Sequence, residues 1–232
     1  MAGEVIYERT ERLVGPEVMQ RLQSARVILF GIGGVGSWCA EALVRSGVTN
    51  LAIVDADRIG ATNVNRQLMA TSANIGASKV AEMKARLLSV NPAADIRAIE
   101  DVYTDETRER FALETYDYII DAIDSLKDKA SLILRATDTR ATFFSSMGAA
   151  LKLDPTQVRV AEFWEVRGCP LGAALRKDTA NRTPCQPRSS SASMTPRCSP
   201  TSDRTRIPKP IRASSTRHRS TGRRRRSPAY SA

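Results

Sequence analysis

The stretch RVILFGIGGVGSWCAEALVRSG, residues 26–47, decides the fold. It opens with a short apolar run, Arg26–Phe30, whose β-branched residues predict a buried strand. A glycine cluster, Gly31-Ile32-Gly33-Gly34-Val35-Gly36, ends that strand. Ser37–Ser46 then predicts a helix, and Gly47 is a typical C-terminal stop. The expected inward face of this helix carries Trp38, Cys39, Ala42 and Leu43.

The alternation of strand and helix continues to about residue 177. Further strands are predicted at Leu51–Asp55, Ile96–Ile99, Tyr118–Asp121, Ala141–Met147 and, with its direction left open, Gln157–Glu162. Helices are predicted at Ser78–Val90, Asp105–Leu113 and Lys127–Thr137. This rhythm indicates an α/β fold with a doubly wound, Rossmann-like, mostly parallel sheet and helices on both faces.

The glycine cluster has the spacing of a phosphate-binding turn. Gly31 permits the tight turn, Gly33 lets the backbone approach a phosphate, and Gly36 lets helix and strand pack closely. The N–H groups at the start of the helix favour an anion. Asp55 ends the next predicted strand, where a carboxylate can bind a ribose hydroxyl. Both NAD and ATP use such a turn, so the nucleotide is decided elsewhere.

Charged side chains further along the chain favour a triphosphate. Asn63 and Arg66 lie in the loop after the second strand, Lys79 lies at the start of a helix, and Asp124 follows the fourth strand. The carboxyl ends of the strands form the ligand crevice of such a sheet. Cations there can stabilise a leaving pyrophosphate, and a carboxylate can hold Mg²⁺ against phosphate oxygens. Other interpretations stay open: Arg66 and Lys79 as solvated side chains, Asp121 as a helix cap, and Asp57 as a turn residue.

The net charge of +10 is concentrated at one end of the chain. Residues 178–232 contain twelve Arg and one Lys against two Asp, whereas residues 1–177 contain 22 basic and 23 acidic residues. The same C-terminal segment holds seven of the eleven Pro, eleven Ser and the single histidine, His218. Such a composition predicts a disordered tail, because it cannot bury enough apolar surface to offset its ordering entropy.

Two interpretations of this tail stay open. It is either a basic arm that touches RNA phosphates, densest at Arg223–Arg226, or a segment without selected function, such as an out-of-frame translation would produce. The predicted domain of residues 1–177 has no histidine, which argues against mechanisms that need a histidine base or a histidine-bound metal. Four scattered Cys, no secretory signal and no apolar run of about 18 residues indicate a cytoplasmic protein outside the membrane.

The motifs together resemble a known family. From Arg9 to about Lys177 the chain is similar to the ThiF/MoeB/HesA superfamily, the bacterial relatives of ubiquitin-activating enzymes. The resemblance is greatest to the tRNA threonylcarbamoyladenosine dehydratase branch, and it rests on the motifs GIGGVGSWCAEALVRSG, TNVNRQ, IGASK, YIIDAIDS and LDPTQVRVAE.

The resemblance implies an ATP-dependent enzyme that adenylates a carboxylate. It assigns ATP contacts to Gly34, Asp55, Asn63, Arg66, Lys79 and Asp124, with Asp124 as the Mg²⁺ ligand. It also implies a homodimer in which an N-terminal arginine, Arg12 or else Arg9, reaches the partner's ATP. The implied substrate is the threonyl carboxylate of threonylcarbamoyladenosine in a tRNA anticodon loop, which is activated and then cyclised with loss of water. Sulfur-transfer proteins are possible partners.

Several features separate the chain from its relatives and leave alternatives open. It lacks the Cys-x-x-Cys pairs that often hold zinc in enzymes adenylating a sulfur-carrier protein, which favours the dehydratase branch. Dehydratases continue in recognisable sequence where this chain has its basic tail. The alternatives are therefore a sulfur-carrier adenylyltransferase, a nucleotide-binding relic without activity, and an NAD-dependent oxidoreductase. Cys169, in a predicted loop, is a further candidate nucleophile.

Overall fold

A five-stranded, all-parallel sheet forms the centre of the protein. In the computed structural model, which describes residues 6–150 and 153–182, the strand order is β3-β2-β1-β4-β5. The strands are β1 (Arg26–Phe30), β2 (Asn50–Val54), β3 (Asp95–Ile99), β4 (Tyr118–Asp121) and β5 (Thr142–Ser145). This order confirms the predicted doubly wound α/β fold, with the change of winding direction between β1 and β4.

Six α-helices accompany the sheet in the described part of the chain. They are α1 (Glu8–Val14), α2 (Pro16–Ser24), α3 (Gly36–Ser46), α4 (Lys79–Val90), α5 (Leu126–Thr137) and α6 (Pro170–Arg182). Short 3₁₀ segments lie at Ala61–Asn63, Arg108–Phe111, Leu113–Thr115, Pro155–Gln157 and Phe163–Glu165. No helix in the described ranges is long and apolar enough to cross a membrane.

The strands bury side chains on both faces of the sheet. In β1, Val27 and Leu29 belong to the core shared with α3 and α4, whereas Ile28 and Phe30 face the opposite core. Phe30 there meets Tyr103 and Phe111, with ring centroids 5.2–5.6 Å apart among the three rings. Burial on both faces explains why β1 is a continuous apolar run rather than an alternating one.

The inward face of α3 differs from the predicted one. Ala40 and Val44 are fully buried, whereas Ala42 is exposed and Trp38 is 56% exposed. Cys39 and Leu43 are partly buried against the core, as predicted. The helix begins with Gly36 against Gly31, and this contact fixes its rotation so that residues 37, 40 and 44 point inward.

Two further predictions are wrong. The predicted helix at Asp105–Leu113 is a pair of 3₁₀ segments separated by Ala112 at φ 45°. Side chains compete with helical bonding there, because the Thr107 hydroxyl donates to the Val102 carbonyl and accepts from the Thr104 N–H.

The predicted strand at Gln157–Glu162 is irregular, and Val158 and Val160 are exposed. Within the described ranges no strand pairs with this segment, and β5 pairs only with β4.

Two helices that the hydrophobic pattern does not predict precede β1. The signal for α2 is Gly15-Pro16, since proline is favoured in the first turn of a helix. Just before α1, the buried Tyr7 hydroxyl donates to the Val44 carbonyl at 2.9 Å and accepts from Asn91 Nδ2 at 2.9 Å. Burial raises the pKa of this phenol. The N-terminal segment is therefore fixed to α3 and α4.

The predicted domain boundary at Lys177 falls inside α6, which continues to Arg182. The predicted disordered tail lies almost wholly outside the described residues, as do Arg223–Arg226 and His218. The division of the chain at that point stays a prediction.

Candidate functional site

The candidate site lies where the sheet changes its winding direction. The glycine turn follows β1, and residues 122–125 follow β4, which pairs with β1. The two segments touch: Gly31 has φ +86°, and a Cβ there would lie 2.7 Å from the Ala122 carbonyl oxygen. Only glycine fits this position, since both the backbone angle and the space exclude a side chain. The turn and the segment after β4 are thus held against each other.

The glycine turn is closed on its inner side and open on its outer side. A Cβ on Gly36 would lie 1.8 Å from the Gly31 carbonyl oxygen, whereas a Cβ on Gly33 would meet nothing within 4 Å. Ser37, in the first turn of α3, donates from its hydroxyl to the Gly33 carbonyl at 2.7 Å and accepts from the Leu68 N–H at 3.1 Å. This hydroxyl links the turn to the loop that carries Arg66.

Asp55, Lys79 and Asp57 form a charged group beside the turn. Asp55 Oδ2 accepts from the Ile32 N–H at 2.7 Å, and its Oδ1 lies 3.7 Å from Lys79 Nζ. Lys79 is 5% exposed, and its Nζ donates to Asp57 Oδ2 at 2.6 Å. The interpretation of Lys79 as a solvated residue is therefore wrong. Asp57, expected as a turn residue, makes a turn contact through its N–H to Asp55 Oδ1 and also pairs with Lys79.

Arg66 and Asn63 lie in the loop after β2. Asn63 Oδ1 accepts from the Gly60 N–H at 2.9 Å and so shapes the loop. Arg66 is exposed and donates to the Thr62 carbonyl at 2.7 Å, while its aliphatic stem lies over Gly34, where a Cβ would be 3.2 Å from Arg66 Cγ. The exposed Trp38 also reaches this loop, since its Nε1 donates to the Arg66 carbonyl at 3.0 Å.

Asp124 lies on the segment that follows β4, whereas Arg12 lies on the N-terminal helix α1. Asp124 is exposed on the segment after β4 and makes no hydrogen bond or ion pair within the described residues. Arg12 lies on α1 and pairs with Glu8, one helical turn earlier. No described contact joins Arg12 to the glycine turn, so its assigned role depends on a second subunit.

A buried ion pair beneath Asp124 is absent from the sequence predictions. Asp121 and Lys129 are both 0% exposed, and Lys129 Nζ lies 2.8 Å from Asp121 Oδ2. Burial raises the pKa of the Asp121 carboxyl, although Lys129 acts in the opposite direction. A signal exists in the sequence, because Lys129 shares helical spacing with the apolar Leu132, Ile133 and Ala136. A lysine on such a face needs a buried anion. Asp121 is therefore more than the helix cap considered above.

Other features of the described chain lie apart from these residues. A cavity of about 150 Å³ is lined by residues including Asp105, Arg108 and Arg135, and one of about 170 Å³ by residues including Arg26, Asp95 and Arg97. Neither includes a residue of the glycine turn. The candidate nucleophile Cys169 lies at the start of α6, where its sulfur accepts from the Gly172 N–H at 3.4 Å.

Comparison with known proteins fits this geometry. The ThiF family profile matches residues 7–199. The chain is 40% identical over 170 residues to the tRNA threonylcarbamoyladenosine dehydratase of Bacillus subtilis (strain 168), covering 73% of this chain and 67% of that protein. It is 41% identical over 165 residues to the protein of the same name in Haemophilus influenzae, covering 71% and 63%.

A solved structure resembles the described fold. The E. coli tRNA N6-threonylcarbamoyladenosine dehydratase TcdA, in complex with ATP, superposes with a TM-score of 0.75 at 34% identity, covering 76% of this chain and 73% of that one. The chain spans about two thirds of the length of the curated relatives it matches. Its parallel sheet, its glycine turn and the match over most of its residues lead to one conclusion: the chain belongs to the ThiF family.

Proposed function

We propose that this protein is an ATP-dependent tRNA threonylcarbamoyladenosine dehydratase. The observation that carries the proposal is the meeting of four features at one edge of the sheet: the open glycine turn, Lys79, Arg66 and Asp124, which has no side-chain partner among the described residues. The names of the relatives and the ATP complex of TcdA support the same assignment.

The glycine turn receives the phosphates of ATP. The open space at Gly33 lets phosphate oxygens approach the backbone, and the N-terminus of α3 favours their negative charge. Asp55 is fixed to the turn through the Ile32 N–H and leaves its other oxygen beside Lys79, where a ribose hydroxyl can bind. Asn63 keeps the facing loop in shape. The nucleotide thus lies between this loop and the turn.

Lys79 and Arg66 stabilise the charge that develops as pyrophosphate leaves. In the resting protein Lys79 is paired with Asp57, whose side chain is 74% exposed. Because an exposed carboxylate regains hydration readily, exchange of Asp57 for a phosphate oxygen costs little. The stem of Arg66 already lies over Gly34, so its guanidinium needs only a change of side-chain conformation to reach the phosphates. Both cations act on positions that become more negative in the transition state.

Asp124 fits a role as magnesium ligand. It is a single exposed carboxylate with no described partner, next to the turn that receives the phosphates. Mg²⁺ is typically bound by one or two carboxylates together with substrate phosphates and water. When bound, the ion would neutralise phosphate charge and orient the triphosphate.

The reaction proceeds in two steps. An oxygen of the threonyl carboxylate attacks the α-phosphorus, the bond to the bridging oxygen breaks, and pyrophosphate leaves with the electron pair. The acyl-adenylate carries AMP as a good leaving group. The neighbouring carbamoyl group then attacks the acyl carbon and its N–H proton passes to solvent. The bond from that carbon to the AMP oxygen breaks, so that the ring closes and AMP leaves with the electron pair. Positioning and phosphate electrostatics suffice for this chemistry, without a histidine base.

The proposal includes a homodimer in the cytoplasm, where tRNA is available, with sulfur-transfer proteins as possible partners. Arg12 is 76% exposed on its side chain, and the neighbouring Leu13 is also exposed on α1. Arg12 would then reach the phosphates bound by the partner subunit.

The first prediction tests the assigned reaction. Lys79→Ala and Asp124→Ala are each expected to lower ATP-dependent cyclisation at least about a hundredfold, because each removes a charge acting on the reacting phosphates. Cyclisation is measured by mass spectrometry of nucleosides from tRNA that carries threonylcarbamoyladenosine. Lys84→Ala, on the same helix as Lys79, and Asp138→Ala, at the far end of α5, are the matched controls.

Three outcomes would contradict the assignment. Full activity of both site variants would show that the site is wrong. Pyrophosphate exchange that appears only when a sulfur-carrier protein is added would favour the adenylyltransferase alternative. Tighter binding of NADH than of ATP would favour an oxidoreductase.

A further inference from the structure

We infer that the buried pair Asp121–Lys129 is a positioning device that sets the location of Asp124 through the backbone of Ile123. This inference deepens the proposed function and rests on it, because it explains how the proposed metal-binding carboxylate is aimed at the nucleotide. Neither Asp121 nor Lys129 touches ATP in this proposal.

Both backbone polar groups of Ile123 are bound by this pair. The Ile123 N–H donates to Asp121 Oδ1 at 3.0 Å, and the Ile123 carbonyl accepts from Lys129 Nζ at 3.0 Å. The two side chains are joined to each other at 2.8 Å, and the Ser145 hydroxyl donates to Asp121 Oδ2 at 2.7 Å. The residue directly before Asp124 is therefore fixed from both sides.

The residue before Ile123, Ala122, is fixed by the end of β1 and by the glycine turn. The Ala122 N–H donates to the Phe30 carbonyl at 2.8 Å, and the Ala122 carbonyl lies where a side chain on Gly31 would be. Asp124, by contrast, has no described side-chain partner. The main chain of Asp124 is therefore positioned relative to the turn, on its N-terminal side, by the backbone of residues 122 and 123.

The mutual attraction of the two charges alone does not account for an ion pair at this place. Both side chains are fully buried, and removing two charges from water is costly enough that an apolar pair of similar volume is often equally stable. An apolar pair, however, supplies neither an acceptor for the Ile123 N–H nor a donor for its carbonyl. What the ion pair adds is a defined backbone conformation directly before Asp124.

The test uses double variants, which avoid leaving one buried charge unpaired. Asp121→Leu with Lys129→Met removes both partners of Ile123, whereas Asp121→Asn with Lys129→Met keeps an acceptor for the Ile123 N–H. The control Glu41→Leu with Arg86→Met removes a different carboxylate–cation pair, one that joins α3 to α4. All are made in the full chain.

Three quantities are measured: amide hydrogen exchange of the peptide covering residues 122–125, the Mg²⁺ concentration for half-maximal ATP binding, and the turnover of tRNA cyclisation. For the Leu/Met variant we expect faster amide exchange in this peptide and a Mg²⁺ midpoint raised about tenfold. We also expect kcat to be lowered about a hundredfold, while the KM for tRNA stays within about threefold of the wild-type value. The Asn/Met variant should lie between it and wild type. The control pair should match wild type in all three.

The outcomes separate this inference from the proposed function. Wild-type protein that binds ATP but does not cyclise threonylcarbamoyladenosine in tRNA would overturn the proposed function. In that case, amide exchange of residues 122–125 and the Mg²⁺ dependence of ATP binding would still test the positioning role. A folded Leu/Met variant with unchanged exchange, or with a Mg²⁺ midpoint and turnover within about twofold of wild type, would overturn the inference. If that variant does not fold, the Asn/Met variant is judged by the same criteria.

Discussion

Gly33 and Gly36 lie three residues apart, yet a methyl group would meet different surroundings at the two positions. At Gly36 it would lie 1.8 Å from the Gly31 carbonyl oxygen, and at Gly33 it would enter open space. Gly36 is thus needed for packing within the protein, whereas Gly33 leaves the outer side of the turn open.

This contrast gives a paired prediction. Gly36→Ala should lower the free energy of unfolding by about 3 kcal/mol or more, because the backbone must move to relieve the overlap. Gly33→Ala should change it by less than about 0.5 kcal/mol while weakening ATP binding about tenfold or more, since the methyl occupies the phosphate position. Denaturant unfolding and calorimetric ATP titration measure the two effects. Equal loss of stability in both variants would contradict this division of roles.

Single residues also show how far sequence reasoning reaches. The spacing of the glycines and of Asp55 defines the turn, because the phosphate-binding pattern is local. Two ion pairs form only after folding. Lys79 and Asp57 are 22 positions apart in the sequence, and Lys129 and Asp121 are 8 positions apart. Lys129 was detectable as a cation on an apolar helix face, but its partner was not.

At the scale of elements, α3 and α4 are joined by Glu41. This carboxylate on α3 is almost fully buried and accepts from Arg86 Nε of α4 at 2.8 Å and from Arg45 Nε at 2.9 Å. Burial alone would raise the pKa of Glu41, but the hydrogen bonds from Arg86 and Arg45 outweigh it and lower the pKa.

The lowered pKa of Glu41 determines the direction in which the free energy of unfolding changes with pH. The carboxylate stabilises the fold at pH values above its pKa in the unfolded chain, and this contribution is lost as the pH falls through the lower pKa of the folded state. Glu41→Gln should therefore cost about 1–2 kcal/mol at pH 7, a modest value because both arginines are partly exposed. The difference from wild type should disappear in acid. Urea unfolding of both proteins between pH 7 and pH 3 tests this, and a difference independent of pH would contradict it.

The positions of helices and strands are predicted correctly where the apolar residues follow one regular period. They are predicted wrongly where side chains bond to the local backbone, or where the segment has no described strand to pair with. The strands of the sheet, α4 and α5 are each located to within about two residues, because their apolar spacing is regular. The region 105–113 has helical composition, but the Thr104–Thr107 side-chain bonds favour a tighter turn. Residues 157–162 alternate like a strand but have no described strand to pair with.

At the scale of the whole molecule, the proposed dimer makes a prediction from subunit mixing. Arg12→Ala and Lys79→Ala should each be inactive alone, because one removes the arginine donated to the partner and the other a lysine of the subunit's own site. Mixed dimers then contain one intact site, and random mixing should restore about one quarter of wild-type activity. Cyclisation after dissociation and reassembly of equal amounts measures this. No recovery in dimers shown to have exchanged subunits would place Arg12 outside the partner's site.

The whole-chain properties were predictable to different degrees. The doubly wound, mostly parallel character of the sheet follows from the alternation of elements together with right-handed crossovers, and it is confirmed. The site's outline follows as well, since residues at the carboxyl ends of parallel strands must share an edge. Charge balance did not locate a tRNA surface, because residues 1–177 carry nearly equal numbers of both signs.

The position of Trp38 has a practical consequence. Its indole is exposed at the start of α3 and bonded to the backbone of Arg66, the side chain proposed to grip the phosphates. The only other indole, Trp164, lies in a 3₁₀ segment against Phe163. In a Trp164→Phe variant, where Trp38 is the sole indole, its emission is therefore expected to report nucleotide occupancy of the proposed phosphate-binding turn without an added label.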